Sequence, residues 1–325
     1  MSNRKSPFAI LCLLAVAAVC SVFYSLMNGA VAISLNDVIQ TIFYQTGTPN
    51  QIIWNIRLPR TLVGALVGMN LALSGAILQS IMKSPLADPH IIGVSSGAGL
   101  AGILVLIVFP NWEYLLTPVA FLGALAATSV IYILAWKGGI RPVRIILAGV
   151  AVSAFLGAGI AGLLVFFSDR VHGALMWMVG GLSARSWPHL AAMLPYSLFG
   201  VLIALGSARK LNILELGDEV ATGLGLAVGR TRMIMTAVAA LLAASAVSVA
   251  GLIGFVGLIV PHAARLIIGS DYRYVIPASA LLGIVVITCS DTLARTLFAP
   301  VELPVGIIMA FAGAPFFLYL LRKEP

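Results

Sequence analysis

Residues 97–102 read GAGLAG and residues 157–162 read GAGIAG. Both fit G-x-G-x-x-G, the spacing by which a glycine turn lets backbone amides approach a dinucleotide pyrophosphate. That chemistry needs a strand before the glycines, a helix opening at them and an acid about 20 residues further on for the ribose. Neither copy has that setting. After Gly102 the nearest acid is Glu113, beyond an apolar run, and after Gly162 it is Asp169, which is too close. Both glycine runs lie inside long apolar stretches, where small side chains let helix backbones approach and gain dispersion energy in lipid. Gly64 with Gly68, and Gly93 with Gly97, repeat the small-x-x-x-small spacing. The glycines are therefore expected to pack helices and smooth a lining, with no nucleotide cofactor.

Other candidate chemistry is sparse. The chain has no G-x-x-x-x-G-K-[ST], so it cannot cradle ATP phosphates in a P-loop. His90, His172, His189 and His262 are too dispersed to spell a metal motif, and H-E-x-x-H is missing, so no metal site is expected. Cys12, Cys20 and Cys289 sit singly in apolar runs and read as packing residues. Intramembrane acids paired with histidines, the mark of a proton-coupled carrier, are nearly absent. Asp291 and Arg295 are the exception, four residues apart on one helix face. They make either an intrahelical ion pair of about 0.2–0.5 kcal/mol or a functional pair. Asn70 and Ser74 are placed to hydrogen-bond between helices.

The elements that must position these groups follow from composition. Of 325 residues 61% are hydrophobic and only 9% charged, far from the roughly one-quarter charge of a soluble domain. Period-two alternation is lacking, and lipid offers no partner to open backbone, so the spanning elements are helices. The fold class is an all-α polytopic membrane protein, one transmembrane domain over residues 1–325. Apolar runs place about ten spans near 8–28, 60–82, 92–109, 115–136, 143–167, 190–207, 231–250, 253–268, 275–297 and 305–321. Residues 233–260 form one run too long for a single crossing, and Gly251, Gly254 and Gly257 offer a place to divide it. The first run is too long for a cleaved signal segment and reads as a retained helix.

The net charge of +8 is scattered, which argues against nucleic acid as a partner, and it reports orientation instead. With the N-terminus inside, Lys83, Lys137, Arg141, Arg144, Arg209, Lys210, Arg230, Arg232, Arg265, Arg273, Arg322 and Lys323 fall on the cytoplasmic side. Arg57, Arg60, Arg170, Arg185 and Arg295 fall outside. This asymmetry supports an even number of spans with both termini cytoplasmic. Two connections are more than turns. Residues 168–188 hold Leu175, Met176, Trp177 and Met178, which predict a short interfacial helix. Residues 208–232, with Glu215, Asp218 and Glu219 among apolar residues, predict one or two short amphipathic helices that suit protein docking. The stretches from Arg60 and Arg230 both open Arg-Thr and continue as small-residue helices, a faint echo of the inverted repeats of transporters.

Four segments carry a resemblance: NIRLPRTLVGALVGMNLALSGAILQSIMKSPLADPHIIGVSSGAG (55–99), RIILAGVAVSA (144–154), GLIGFVGLIVPHAARLIIGSDYR (251–273) and ELPVGIIMAFAGAPFFLYLL (302–321). In order and spacing they resemble the permease subunits of ABC importers for ferric siderophores, haem and cobalamin. The resemblance implies the type II importer permease fold and a homodimer or close heterodimer in the cytoplasmic membrane. It also implies two copies of an ATP-binding subunit and an extracytoplasmic substrate-binding protein. It assigns ATPase coupling to Glu215, Leu216, Gly217, Asp218, Glu219, Ala221, Leu224 and Gly225. It assigns binding-protein docking to Arg57, Arg60 and Arg295, whose planar forks suit carboxylates. The pathway is expected along residues 143–167, with Gly149, Ser153, Gly157 and Ser168 lining or gating it and residues 168–183 forming an outer gate. A ferric siderophore is the leading cargo, with cobalamin and haem as alternatives. An ion-coupled secondary transporter is the alternative from another class. A membrane enzyme would need clustered catalytic side chains, which the sequence lacks.

Overall fold

The computed structural model describes residues 6–29, 31–44, 50–136 and 142–323. Lys137 and Arg141, expected on the cytoplasmic side, lie outside the described residues. Within them the chain is helical, with no strand. Fourteen helices follow in order: α1 (Pro7–Met27), α2 (Leu35–Tyr44), α3 (Asn50–Met82), α4 (Val94–Val108), α5 (Leu116–Ala135), α6 (Pro142–Phe166), α7 (Val171–Val179), α8 (Trp187–Gly206), α9 (Ala208–Glu215), α10 (Asp218–Gly223), α11 (Val228–Ala250), α12 (Val256–Ile268), α13 (Tyr272–Thr296) and α14 (Val305–Lys323).

Ten of these match the expected spans. Helices α1, α3, α5, α6, α8, α11 and α13 are long and apolar enough to cross a membrane, whereas α4, α12 and α14 are shorter apolar helices. The division near Gly251 is real. Gly251 takes φ 75°, a left-handed conformation that a Cβ would strain, and α11 ends at Ala250. Residues 251–255 run non-helically before α12, enclosed by protein. The freed Ala250 carbonyl accepts from the Gly181 amide at 2.8 Å, which satisfies this backbone group at the break from within the protein.

Helices α3 and α11 are the most enclosed of the bundle. Their contacts run in opposite order: Asn70 Nδ2 donates to Ser245 Oγ at 2.9 Å, and Ser74 Oγ donates to the Ala239 carbonyl at 2.7 Å. The two helices are thus antiparallel, the relative direction expected of the pair that opens Arg-Thr. Asn70 also donates to Ser197 of α8 at 2.7 Å, so both polar residues bind helices together, as their mid-span position suggested. Helix α13 crosses α3 in the same antiparallel sense, from Gly283 beside Gly68 to Asp291 beside Arg60.

Both short-helix expectations hold: α7 lies in residues 168–188, and α9 and α10 lie in 208–232. Helix α2 was not anticipated. Its signal is the S-x-x-D at Ser34 and Asp37, where Ser34 Oγ accepts from the Asp37 amide at 3.2 Å and donates to Oδ2 at 2.7 Å. Helix α3 also starts earlier than expected. A π-helical turn, Ile53–Arg57, leads into it and buries Ile53 and Arg57.

Candidate functional site

Two groups of charged side chains form around Arg60 and Lys83 of the α3 segment. The helical rise puts Arg60 and Lys83 about 35 Å apart.

At the Arg60 end, the three arginines expected to face a partner are inside the protein. Arg57, Arg60 and Arg295 are only 4%, 6% and 5% exposed. Arg57 Nη1 donates to the Leu26 and Met27 carbonyls at 2.8 and 3.2 Å, and Nη2 donates to the Val31 carbonyl. It thereby satisfies orphan carbonyls at the end of α1. Arg60 holds both oxygens of Asp291, Nε at 3.0 Å and Nη2 at 2.9 Å, and reaches Glu302 Oε2 through Nη1 at 2.8 Å. Arg295 lies 3.3 Å from Asp291 by Nε and donates to the Ser25 hydroxyl at 2.9 Å. Asp291 and Arg295 therefore form the i, i+4 pair, drawn into a larger cluster by Arg60.

The three arginines expected to dock a binding protein are thus held by internal partners in this chain. A chain that places cations at the edge of an apolar bundle recovers their desolvation cost by pairing them internally. Two side chains of the cluster reach the surface. Glu302 is half-exposed and also accepts from Ser183 Oγ at 3.3 Å. Burial pushes its carboxyl up, but Arg60, Ser183 and Arg295 outweigh that and hold it below its ordinary value. Arg185, which the sequence reading did not single out, completes the group. Burial, then the charge of Arg60, holds its guanidinium below its ordinary value. Arg60 and Arg295 thus share Asp291, and Arg60 also takes Glu302.

At the Lys83 end lie the short helices α9 and α10. Leu216, Val220 and Leu224, at 60%, 50% and 60% exposure, are apolar side chains on and flanking α10, with Leu216 ahead of the break at Gly217. Val220 was not among the expected coupling residues. Glu215, Glu219 and Gly225 are exposed and Gly217 is partly so. Ala221 differs: it is fully buried and anchors α10 to the bundle, so it offers a partner no direct contact. Asp218 binds Lys83 and Arg232. Burial pushes its carboxyl up, but the hydrogen bonds and charges of Arg232 and Lys83 outweigh it and leave the group below its ordinary value. A cavity of about 290 Å³ beside them is lined by Gln79, Lys83, Ser84, Pro85, Glu215 and Arg265.

Between the ends, α6 is among the least enclosed of the long helices. Leu147, Ala151, Ala154, Ala158, Ala161 and Val165 are all exposed. Their spacing alternates four and three residues, the pattern of a seam that meets a second helix. Of the four expected pathway residues, Gly157 has open space around it and Ser168 is exposed. Ser153 is partly buried, its hydroxyl 3.1 Å from Ser96 Oγ. Gly149 faces the other way, because a Cβ there would fall on the Ile91 carbonyl oxygen. It is a packing residue. Among the described residues no group of three His, Cys, Asp or Glu side chains could hold a metal ion.

A profile of the FecCD transport family matches residues 14–323. The chain belongs to this family. It is 40% identical over 300 residues to the Fe(3+)-citrate import system permease protein YfmD of Bacillus subtilis, covering 92% of this chain and 90% of that one. It is 46% identical over 279 residues to the cobalamin import system permease protein BtuC of Halobacterium salinarum, covering 85% and 75%. Its fold matches a metal-chelate type ABC transporter solved in an inward-facing conformation, with a TM-score of 0.87, 29% identity and coverage of 97% and 99%. The FecCD architecture of this chain is thus a multi-pass membrane permease, and the family's ATP hydrolysis resides in a separate subunit.

Proposed function

We propose that this chain is the permease of an importer carrying a ferric chelate across the cytoplasmic membrane, driven by ATP hydrolysis in a partner subunit. The observation that carries the reading is likeness along the whole chain, in sequence to a ferric-citrate permease and in fold to a metal-chelate transporter. The higher identity to a cobalamin permease over a shorter stretch favours cobalamin as the second reading.

In this reading the Lys83 end is cytoplasmic, both termini are inside, and Leu216, Val220 and Leu224 seat in a groove of the ATPase. The exposed seam of α6 meets its counterpart in a second permease copy, and the alanines near its centre keep the passage smooth. Gly157 and Ser168 line that passage, while Gly149 and Ser153 support the helix from behind. Two ATPase subunits, one per permease copy, bias the populations of two conformations. The Arg60 end receives an extracytoplasmic binding protein. Because Arg57 and Arg295 are committed to backbone and internal partners, docking falls to Arg185 and Arg60. A carboxylate of the binding protein exchanges with Glu302 on Arg60, which sets orientation and on-rate more than affinity.

The test is capture of the binding protein on the purified permease, followed by mass spectrometry of the molecule it carries. An iron chelate is expected. A corrin would favour the second reading, and a cargo that is not a chelate would overturn both.

A further inference from the structure

We propose that Asp218 is a positioning residue that ties the ATPase-facing helix α10 to the two central helices, so that movement of α10 is delivered to the bundle. The proposal rests on the reading of α10 as the seat of the ATPase.

Asp218 opens α10, and both its oxygens are shared. Oδ1 accepts from Lys83 Nζ at 2.6 Å and from Arg232 Nη2 at 2.8 Å, and Oδ2 accepts from Arg232 Nη1 at 2.7 Å. The two donors sit at chosen places. Lys83 is the C-cap of α3, held left-handed at φ 51° and ψ 40°, where that helix stops. Arg232 lies near the start of α11, with its side chain only 5% exposed. A buried planar fork gripping a carboxylate by both nitrogens fixes direction as well as distance. One carboxylate therefore joins α10 to α3 and α11, the two most enclosed helices.

The backbone on either side of α10 is built to let it turn. Gly217 precedes it at φ 110° and Gly225 follows it at φ 81°, and a Cβ at either would meet nothing within 4 Å. Side chains other than glycine are strained at such angles. A short helix between two such glycines, seated on the bundle by Ala221 and gripped by a charged tie at its first residue, passes any displacement to the tie. The neighbouring α9 is held separately. Asn212 Nδ2 donates to Asp271 Oδ1 and Asn212 Oδ1 accepts from the Tyr272 amide, each at 2.8 Å, at the start of α13. The platform is thus attached to α3, α11 and α13, and α3 runs on to the Arg60 cluster. Rigid elements joined in this way pass on a small displacement as one step.

An ion pair that only stabilises the fold would lower activity without altering how much cargo each ATP moves. The experiment reconstitutes the permease with its ATPase and binding protein in proteoliposomes, and reads ferric chelate delivered per ATP hydrolysed. Wild type, D218N, K83M and D218E are compared. We expect D218N and K83M to lower that ratio at least about five-fold, the lower end of usual coupling strengths, and D218E to restore most of it. A ratio unchanged in D218N and K83M, even with uptake and hydrolysis falling together, would overturn the proposal. Should D218N fail to fold, K83M decides alone, because Lys83 is one-third exposed and its loss leaves no buried cation. A wild-type complex that showed no ATP-linked uptake would instead defeat the functional reading, before any variant is compared.

Discussion

Gly68 of α3 and Gly283 of α13 touch backbone to backbone, so that a Cβ added to either would fall on the carbonyl oxygen of the other. One turn pair further along, Gly75 stands in the same relation to the Gly257 carbonyl of α12. Gly162, in the second G-x-G-x-x-G, has nothing within 4 Å. Gly75→Ala should therefore lower stability by about 1–3 kcal/mol through forced separation of helices, read as a fall in melting temperature in detergent. Gly162→Ala should be neutral or slightly stabilising, since alanine favours a helix over glycine by about 1 kcal/mol. Equal effects at the two sites would contradict the packing account.

The Arg60 cluster makes a second contrast. Asp291 has a side-chain exposure of 3% and faces Arg60 and Arg295. Asp291→Asn leaves two guanidinium groups short of a counter-charge, and breaking a buried pair costs about 3–5 kcal/mol. The triple variant Arg60→Met, Asp291→Leu and Arg295→Met should cost clearly less, because it removes both buried cations together with the acid they share. Denaturant titration of the three proteins measures the difference.

Acidity should act on the tie at Asp218 in one direction. Its carboxyl is held below its ordinary value by Arg232 and Lys83, so the stabilisation it provides is complete above the unfolded pKa and is lost as pH falls through the lower folded one. The melting-temperature gap between wild type and Asp218→Asn should stay constant from pH 8 to about pH 5 and close only below about pH 4. A gap that closed between pH 7 and 6 would assign the effect to another group.

The apolar face of α10 can be tested by charge. Leu224→Glu, on a side chain 60% exposed, should leave the permease folded and weaken ATPase binding by at least about ten-fold, equivalent to about 1.4 kcal/mol. Ala221→Glu should instead unfold the platform, because that position is fully buried. Surface plasmon resonance and a melting curve separate the two outcomes.

Much of this was legible in the residues. The spans, the break at Gly251 and the helices in 168–188 and 208–232 follow from apolar runs and charge placement, since lipid leaves backbone few options. The bonding roles of Asn70 and Ser74 follow from their mid-span position. What the residues could not report was pairing across the chain. Arg60 and Asp291 are 231 positions apart, and nothing local distinguishes an arginine that greets a partner from one that satisfies an internal acid. The two G-x-G-x-x-G copies likewise look alike in sequence. In the structure Gly97 and Gly102 press on Gly123 and Trp177, while Gly157 and Gly162 face open space. The inward facing of Gly149 and Ala221 was set by neighbours rather than by period, and Asp218 acquired its second donor from a helix end far back in the chain.

The central claim is that this FecCD protein moves its cargo only when an ATP-hydrolysing partner grips its α9–α10 face. The most direct measurement is uptake of radiolabelled ferric chelate into proteoliposomes holding the permease, its ATPase and external binding protein, with ATP inside. Uptake that requires ATP and the ATPase, and that survives collapse of ion gradients, is the predicted result. Accumulation by the permease alone, driven by a proton or sodium gradient, would contradict it.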